Sequence, residues 1–211
     1  MRLYLLPGCP FAHRATIVLQ EKKLTFEPVF FSLQKHPTEL EAISPFAKSP
    51  TLVDGETRAW DSQIVIEYLE DRYPEPALMP TEPAARADVR MLAARVDREL
   101  GPKTGAIMVE VLHKAPANRD EAKIEAAQQG FVTALAWWDA RLAGREFLVG
   151  DALSLADVTL FTLLHAYRGL TRTEIATERT QLRGWYERMA ARGTTKLLER
   201  SSADGLSRGG P

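Results

Sequence analysis

One residue in this sequence has the type and the setting for nucleophilic chemistry. Cys9 is the only cysteine, and it lies in LLPGCPFAHRATIVLQEK directly ahead of a proline and an amphipathic run. If a helix starts at Pro10 or Phe11, the thiol stands at its N-cap, beside amides that no carbonyl within the helix can use. Those amides and the positive end of the helix dipole favour a thiolate, the reactive form of cysteine. Pro10 suits the first helical position, because it has no amide hydrogen to leave unpaired there. Arg14, one turn and a residue further on, either adds positive field or pairs with an acid elsewhere. Position 12 is Ala, so no second thiol follows at redox-pair spacing, and a resolving thiol must come from outside the chain. The plain alternative is that Cys9 is a small buried hydrophobe.

Several elements must cooperate to hold such a thiol. Residues 2–6, RLYLL, and 26–31, FEPVFF, read as short strands, and residues 10–23 between them carry Phe11, Ala15, Val18 and Leu19 at helical spacing. Strand, helix and strand in that order predict a right-handed parallel crossover. SPTLVDGETRAW reads as two strands joined through Asp54-Gly55, and DSQIVIEYLEDRY as a helix with Ile64, Val65, Tyr68 and Leu69 on one face. The expectation is a small α/β domain with a mixed sheet over residues 1–74. Residues 72–86 hold four prolines, and 75–85 read as an extended linker.

Beyond the linker the sequence turns alanine-rich. Residues 84–114 and 119–143 read as two long helices broken near KAPANRD, and no strand pattern follows, so residues 86–200 should form an all-helical domain. In GDALSLADVTLF, Ser154 and Asp157 have the spacing of a capping box, with Leu153 and Val158 as a hydrophobic staple. That pattern marks a buried helix and not a site. Of the adjacent Trp137 and Trp138, one should be in the core and one near the surface. Residues 201–211, SSADGLSRGGP, are small and polar and are expected to be disordered.

Composition excludes several roles. A net charge of −1 gives no field to hold nucleic-acid phosphates, and no run approaches the ~20 apolar residues that span a bilayer. With one cysteine no internal disulfide forms, which points to a cytoplasmic protein with a reduced thiol. His13, His36, His113 and His165 have no metal-ligand spacing, so no metal is expected, and His13 reads as an exposed helix residue.

CPFAHR after the first strand, KSPTLVD, WDSQIVIEYLEDRYP and the GDALSLAD cap, in this order, resemble the cytosolic glutathione transferase superfamily. The resemblance covers the chain to about residue 200. It implies a thioredoxin-like glutathione-binding domain followed by an all-helical domain, a homodimer, and no bound cofactor, glutathione being a co-substrate. Cys9 matches the nucleophile of the cysteine-type, omega-like classes, which form a mixed disulfide with glutathione and act as thiol transferases or reductases. Phe11 matches the aromatic residue after it. Pro50 matches the cis-proline that lets the Ser49 amide and carbonyl pair with an extended peptide. Asp61 and Ser62 match the acid–serine pair that holds the γ-glutamyl group, although helix capping explains them equally. Lys48 and His36 sit where side chains reach the glycyl carboxylate. Tyr4 reads as a core strand residue.

Residues 60–86 are also similar to the stringent starvation protein A family, which keeps this fold and binds RNA polymerase. There a surface Pro-His-Pro meets the partner; here the central residue is Glu75. The intact CPF motif and Glu75 favour an enzyme with an unidentified second substrate over that regulator. A binder that holds glutathione and apolar molecules without turnover is the third option.

Overall fold

The computed structural model describes residues 1–32 and 35–195, so the expected disordered tail lies outside the described residues. The chain divides into two compact units. The first holds Met1–Leu78 and the described residues from Ala190, and the second holds Met79–Met189.

In the first unit β1 (Arg2–Leu5), α1 (Pro10–Glu21), β2 (Glu27–Phe30), α2 (Thr38–Ile43), β3 (Thr51–Asp54), β4 (Thr57–Trp60) and α3 (Ser62–Arg72) follow one another. The four strands take the order β2-β1-β3-β4. β1 pairs parallel with β2 (Leu3 opposite Pro28) and antiparallel with β3 (Leu3 opposite Leu52), which makes the mixed sheet expected from sequence. β1 is central, and Leu3 and Tyr4 are fully buried. Tyr4 packs with Phe31 and Leu40, in keeping with a core role. The hairpin pairs Asp54 with Thr57, so its two-residue loop is Gly55-Glu56, one position on from the expected turn. Gly55 takes φ +59°, a value open to glycine at little cost.

Two sequence expectations about helix faces change. On α3 the buried face is Val65, Ile66 and Leu69, while Ile64 is exposed. On α1 His13 is buried, because α1 packs against α3 and has most of its surface covered. Beyond α1 the buried Lys22 ammonium is fully engaged. It donates to the carbonyls of Tyr73 (2.7 Å) and Pro76 (2.9 Å) and pairs with Glu70 (2.7 Å), which in turn accepts from the Leu78 amide. A buried ion pair needs such a full set of partners to offset its desolvation.

The second unit contains α4 (Pro83–Glu99), α5 (Gly101–Leu112), a 3-10 turn (Pro116–Asn118), α6 (Glu121–Arg141), α7 (Leu155–Thr171) and most of α8 (Thr180–Ala191). Among its described residues there is no strand. The single helix expected over residues 84–114 is two. Leu100 ends α4 and opens α5, because Pro102 has no amide to bond Arg98 and its ring crowds that carbonyl. Phe131 stacks on Tyr167 at 3.9 Å in the core. Trp138 is fully buried and Trp137 is exposed, with the Arg95 guanidinium over its ring (3.5 Å), matching the one-in, one-out expectation.

Two carboxylates organise this helical unit. Asp157 does more than cap α7. Its Oδ2 accepts from the Ser154 amide (3.0 Å) and hydroxyl (2.6 Å), and its Oδ1 from the Leu148 amide and the Trp185 indole (both 2.9 Å). Burial pushes this carboxyl above the usual range, and the four donors pull against that push. Glu110, at the end of α5, pairs with Lys114 (2.7 Å) and Lys123 (3.3 Å) and accepts from the Asp120 amide (3.0 Å). The Lys114 contact is the main reason its pKa is lowered from 4.5 to about 2.

Replacing Asp157 with Asn puts an NH2 against two donors, so Asp157→Asn should cost roughly 3 kcal/mol in urea unfolding, close to the loss in Asp157→Ala. A loss below about 1 kcal/mol would mean the four bonds do not act as a network. Glu110, with its folded pKa below the unfolded value, contributes stability in full above about pH 4.5, and that contribution fades as pH falls towards 2. Glu110→Gln should therefore be less stable than the natural protein at pH 7, with the gap closing between pH 4.5 and 2. A gap that holds constant across that window would contradict the assignment.

Candidate active site

The thiol is placed by a turn. Leu6-Pro7-Gly8-Cys9 closes with the Cys9 amide donating to the Leu6 carbonyl (3.2 Å). Proline second and glycine third, with Gly8 at φ +71°, are the pattern of a type II turn. The turn follows directly on β1, so the central strand aims Cys9 at the start of α1. Cys9 is the N-cap residue there, with extended backbone (φ −71°, ψ 116°), and Pro10 opens the helix. The Cys9 carbonyl accepts from the His13 amide (3.0 Å), which fixes the first helical turn.

Cys9 has 7% of its surface exposed, and that surface faces a cleft of about 510 Å³. The cleft is lined by Leu6, Cys9, Phe11, Phe46, Ala47, Lys48 and Ser49. The Cys9 thiol points at the Ser49 carbonyl (Sγ to O 3.9 Å), and the Ser49 hydroxyl accepts from the Leu6 amide (2.9 Å), tying the β3 approach to the thiol turn. The Ser49–Pro50 bond is cis, and Pro50 is buried behind Ser49. Lys48 is exposed, with its ammonium 6.0 Å from the Phe46 ring. Phe46 itself, 66% exposed, meets Trp60 edge-on at 5.6 Å.

Asp61 and Ser62 stand at the start of α3 with separate roles. Asp61 is the N-cap, and its carboxylate accepts from the Gln63 amide (3.1 Å). It holds φ +75°, a left-handed value that costs an aspartate about 1–3 kcal/mol. Ser62 is the first helical residue, and its hydroxyl accepts from Arg14 Nη1 (3.1 Å), so it is no simple cap. Arg14 is wholly buried, and its guanidinium lies 4.9 Å from the Phe11 ring.

The structure thus gathers Cys9, Phe11, Lys48 and Ser49 around one cleft, with Pro50 behind it. Ser62 joins this group through Arg14 and Phe11. His36 does not line the cleft; its Nε2 faces Glu41 on α2 at 3.6 Å. Sequence reasoning saw Arg14 as a source of field or a partner for an acid, and missed its serine partner. The available signal was the three-residue step from Phe11 to Arg14, which puts both on one helix face. Phe46 and Trp60 were also missed, since exposed aromatic residues in a loop and an edge strand carry no periodic signal.

No helix among the described residues is long and apolar enough to cross a membrane. Among those residues no group of three or more His, Cys, Asp and Glu side chains is gathered as metal ligands would be.

The glutathione S-transferase N-terminal domain model matches residues 3–77, and the corresponding C-terminal domain model matches residues 121–188. Glutathione S-transferase 4 of Zea mays is 30% identical over 193 residues, covering 87% of this chain and 84% of its own length. A stringent starvation protein A homolog of Haemophilus influenzae is 34% identical over 119 residues, covering 56% of this chain and 52% of its own. The chain thus spans about half the length of that relative and of two others like it. A solved glutathione S-transferase from Rhodospirillum rubrum superposes with a TM-score of 0.85 at 29% identity, over 93% of this chain and 90% of the other. The α/β unit is accordingly thioredoxin-like, and the two-part architecture expected from sequence holds. With both domain models in order along one chain and a relative aligned over most of both lengths, the chain belongs to the glutathione S-transferase family.

Proposed function

We propose that this glutathione S-transferase is of the cysteine type, a cytoplasmic thiol transferase that reduces mixed disulfides with glutathione. The observation that carries this reading is Cys9 at the N-cap of α1, lining an open cleft against the backbone of Ser49. The Cys9 side chain takes no cap hydrogen bond from the first-turn amides, so the support for a nucleophilic thiolate is its place at the positive end of the helix dipole.

The Cys9 thiolate attacks the glutathionyl sulfur of a substrate disulfide. A Cys9–glutathione disulfide forms, the substrate sulfur–sulfur bond breaks, and the substrate leaves as a thiolate that takes a proton. A second glutathione thiolate attacks the glutathionyl sulfur of that disulfide, giving oxidised glutathione and restoring the Cys9 thiolate. One free glutathione is consumed per turnover: the mixed disulfide and that glutathione become the free substrate thiol and oxidised glutathione, and no bound cofactor takes part.

Glutathione is held along the first unit. Its cysteinyl backbone runs beside the Ser49 amide and carbonyl next to Pro50, with Phe11 flanking the thiol. The γ-glutamyl carboxylate sits at the α3 N-terminus on Ser62, and the amino group turns to Asp61. Lys48, exposed on the cleft rim, attracts the glycyl carboxylate, with His36 further out. A homodimer fits the exposed apolar side chains Phe46 and, in the helical unit, Met91, 62% exposed.

A second reading, a regulator that binds RNA polymerase, is favoured by one observation, the similarity to stringent starvation protein A homologs. Glu75, exposed in the turn after α3, places an acid where that contact would fall.

Glutathione-dependent reduction of a small mixed disulfide should be measured for the natural protein and for Cys9→Ser. Turnover should fall on the order of 100-fold or more in Cys9→Ser, since a hydroxyl does not replace a thiolate. Equal turnover in both would remove Cys9 from the mechanism, and none in either, with binding to purified RNA polymerase, would establish the regulator. Ser62→Ala should weaken glutathione affinity about 10-fold with little change in melting temperature. Unchanged affinity would leave Ser62 only its bond to Arg14.

A further inference from the structure

We propose that Arg14 is a positioning residue for the γ-glutamyl carboxylate, acting through the hydroxyl of Ser62. This rests on the reading that glutathione lies at the start of α3. The Arg14 side chain has no exposed surface, so its guanidinium does not meet a ligand directly. Its Nη1 donates to Ser62 Oγ at 3.1 Å.

The direction of that bond matters. Arginine has only donors and stays protonated, so Ser62 must accept from it. A serine hydroxyl has a single proton and two lone pairs. With one lone pair taken by Arg14, the proton is left for an acceptor outside the pair, and the cation polarises the O–H bond towards stronger donation. A Ser62 hydroxyl spent on a protein carbonyl would instead turn lone pairs towards an incoming carboxylate. Arg14 thus sets the polarity of Ser62 for an anion and adds attraction in a poorly solvated place.

Phe11 completes the device. Its ring lies 4.9 Å from the guanidinium and also lines the Cys9 cleft. The stack restricts the guanidinium plane, and with it the direction in which Nη1 points at Ser62. A chain of contacts therefore runs from the cleft that holds the thiol to the start of α3. A tether that only joined α1 to α3 would stabilise the fold without distinguishing one ligand from another.

The experiment compares glutathione with cysteinylglycine, which lacks the γ-glutamyl group, as the thiol that drives reduction of a small mixed disulfide. It reads the ratio of kcat/KM for the two thiols in the full chain. Arg14→Met should lower that ratio about 10-fold through a raised KM for glutathione, with the cysteinylglycine rate kept within about twofold. Arg14→Lys keeps a buried cation, which guards against misfolding, but lacks the planar fork, and should lose part of the preference. In a Ser62→Ala background, Arg14→Met should cause no further fall in the ratio. Equal losses for both thiols, or losses that add in the double variant, would overturn the proposal and leave a structural tether. If the natural protein turns over without preferring glutathione, the proposal falls, and so does the placing of the γ-glutamyl group at Ser62. Absence of turnover with either thiol overturns the reading of the site itself.

Discussion

The turn from Leu6 to Cys9 is the constraint on which the site depends. Only four residues, Leu6 to Cys9, separate the end of β1 from the start of α1, and the chain must reverse its course between them. Proline supplies one fixed dihedral and Gly8 supplies the left-handed one, so the reversal costs little strain. The Cys9 amide is used up in closing the turn, which leaves the side chain at the helix N-terminus. An alanine at position 8 would meet no neighbouring atom, so the demand for glycine there comes from the backbone alone. The chemistry follows from geometry set before any long-range packing is considered.

Long-range contacts then bring other segments to that point. Ser49 reaches the turn through its hydroxyl on the Leu6 amide, and Ser62 reaches α1 through Arg14. Neither link replaces a helix or strand bond; each joins pieces distant in sequence by a polar side chain, part-buried at Ser49 and fully buried at Arg14. Such links have direction, because donors and acceptors must match. They hold a site in a way that apolar packing, which is indifferent to orientation, does not. The left-handed Asp61 belongs with them, a locally costly backbone held by the β4–α3 junction.

How much of this was legible in the sequence differs with the range of the interaction. The N-cap position of Cys9, the strands and the mixed sheet rest on local patterns, and these transferred to the structure with shifts of a residue or so. The turn at Gly55-Glu56 moved by one because loop geometry depends on strand register. The helix expected across residues 84–114 broke at Leu100, although the local signal, Gly101-Pro102, was present in the sequence. Ile64 and His13 changed sides because the buried face of a helix depends on what packs against it. The Asp157 cap was legible, but its bonds to Leu148 and Trp185 were not, since no local rule pairs a cap with an indole 28 residues away. The Arg14–Ser62 bond spans 48 residues and escaped for the same reason.

The lone thiol settles the form that chemistry at Cys9 can take. A disulfide formed on Cys9 has no second cysteine in the chain to resolve it, so it persists until an outside thiol arrives. The surroundings suit such a visitor. The cleft opens beside the thiol, Lys48 offers an exposed cation, and Ser49 offers a carbonyl at the sulfur itself. With only 7% of its surface exposed, Cys9 admits a sulfur approaching along the cleft more readily than one colliding at random with the surface. Selectivity for the resolving thiol must then reside in groups that hold the rest of that molecule. The binding site we propose puts those groups along the Ser49 backbone and at the start of α3, where the buried Arg14 donates to the Ser62 hydroxyl.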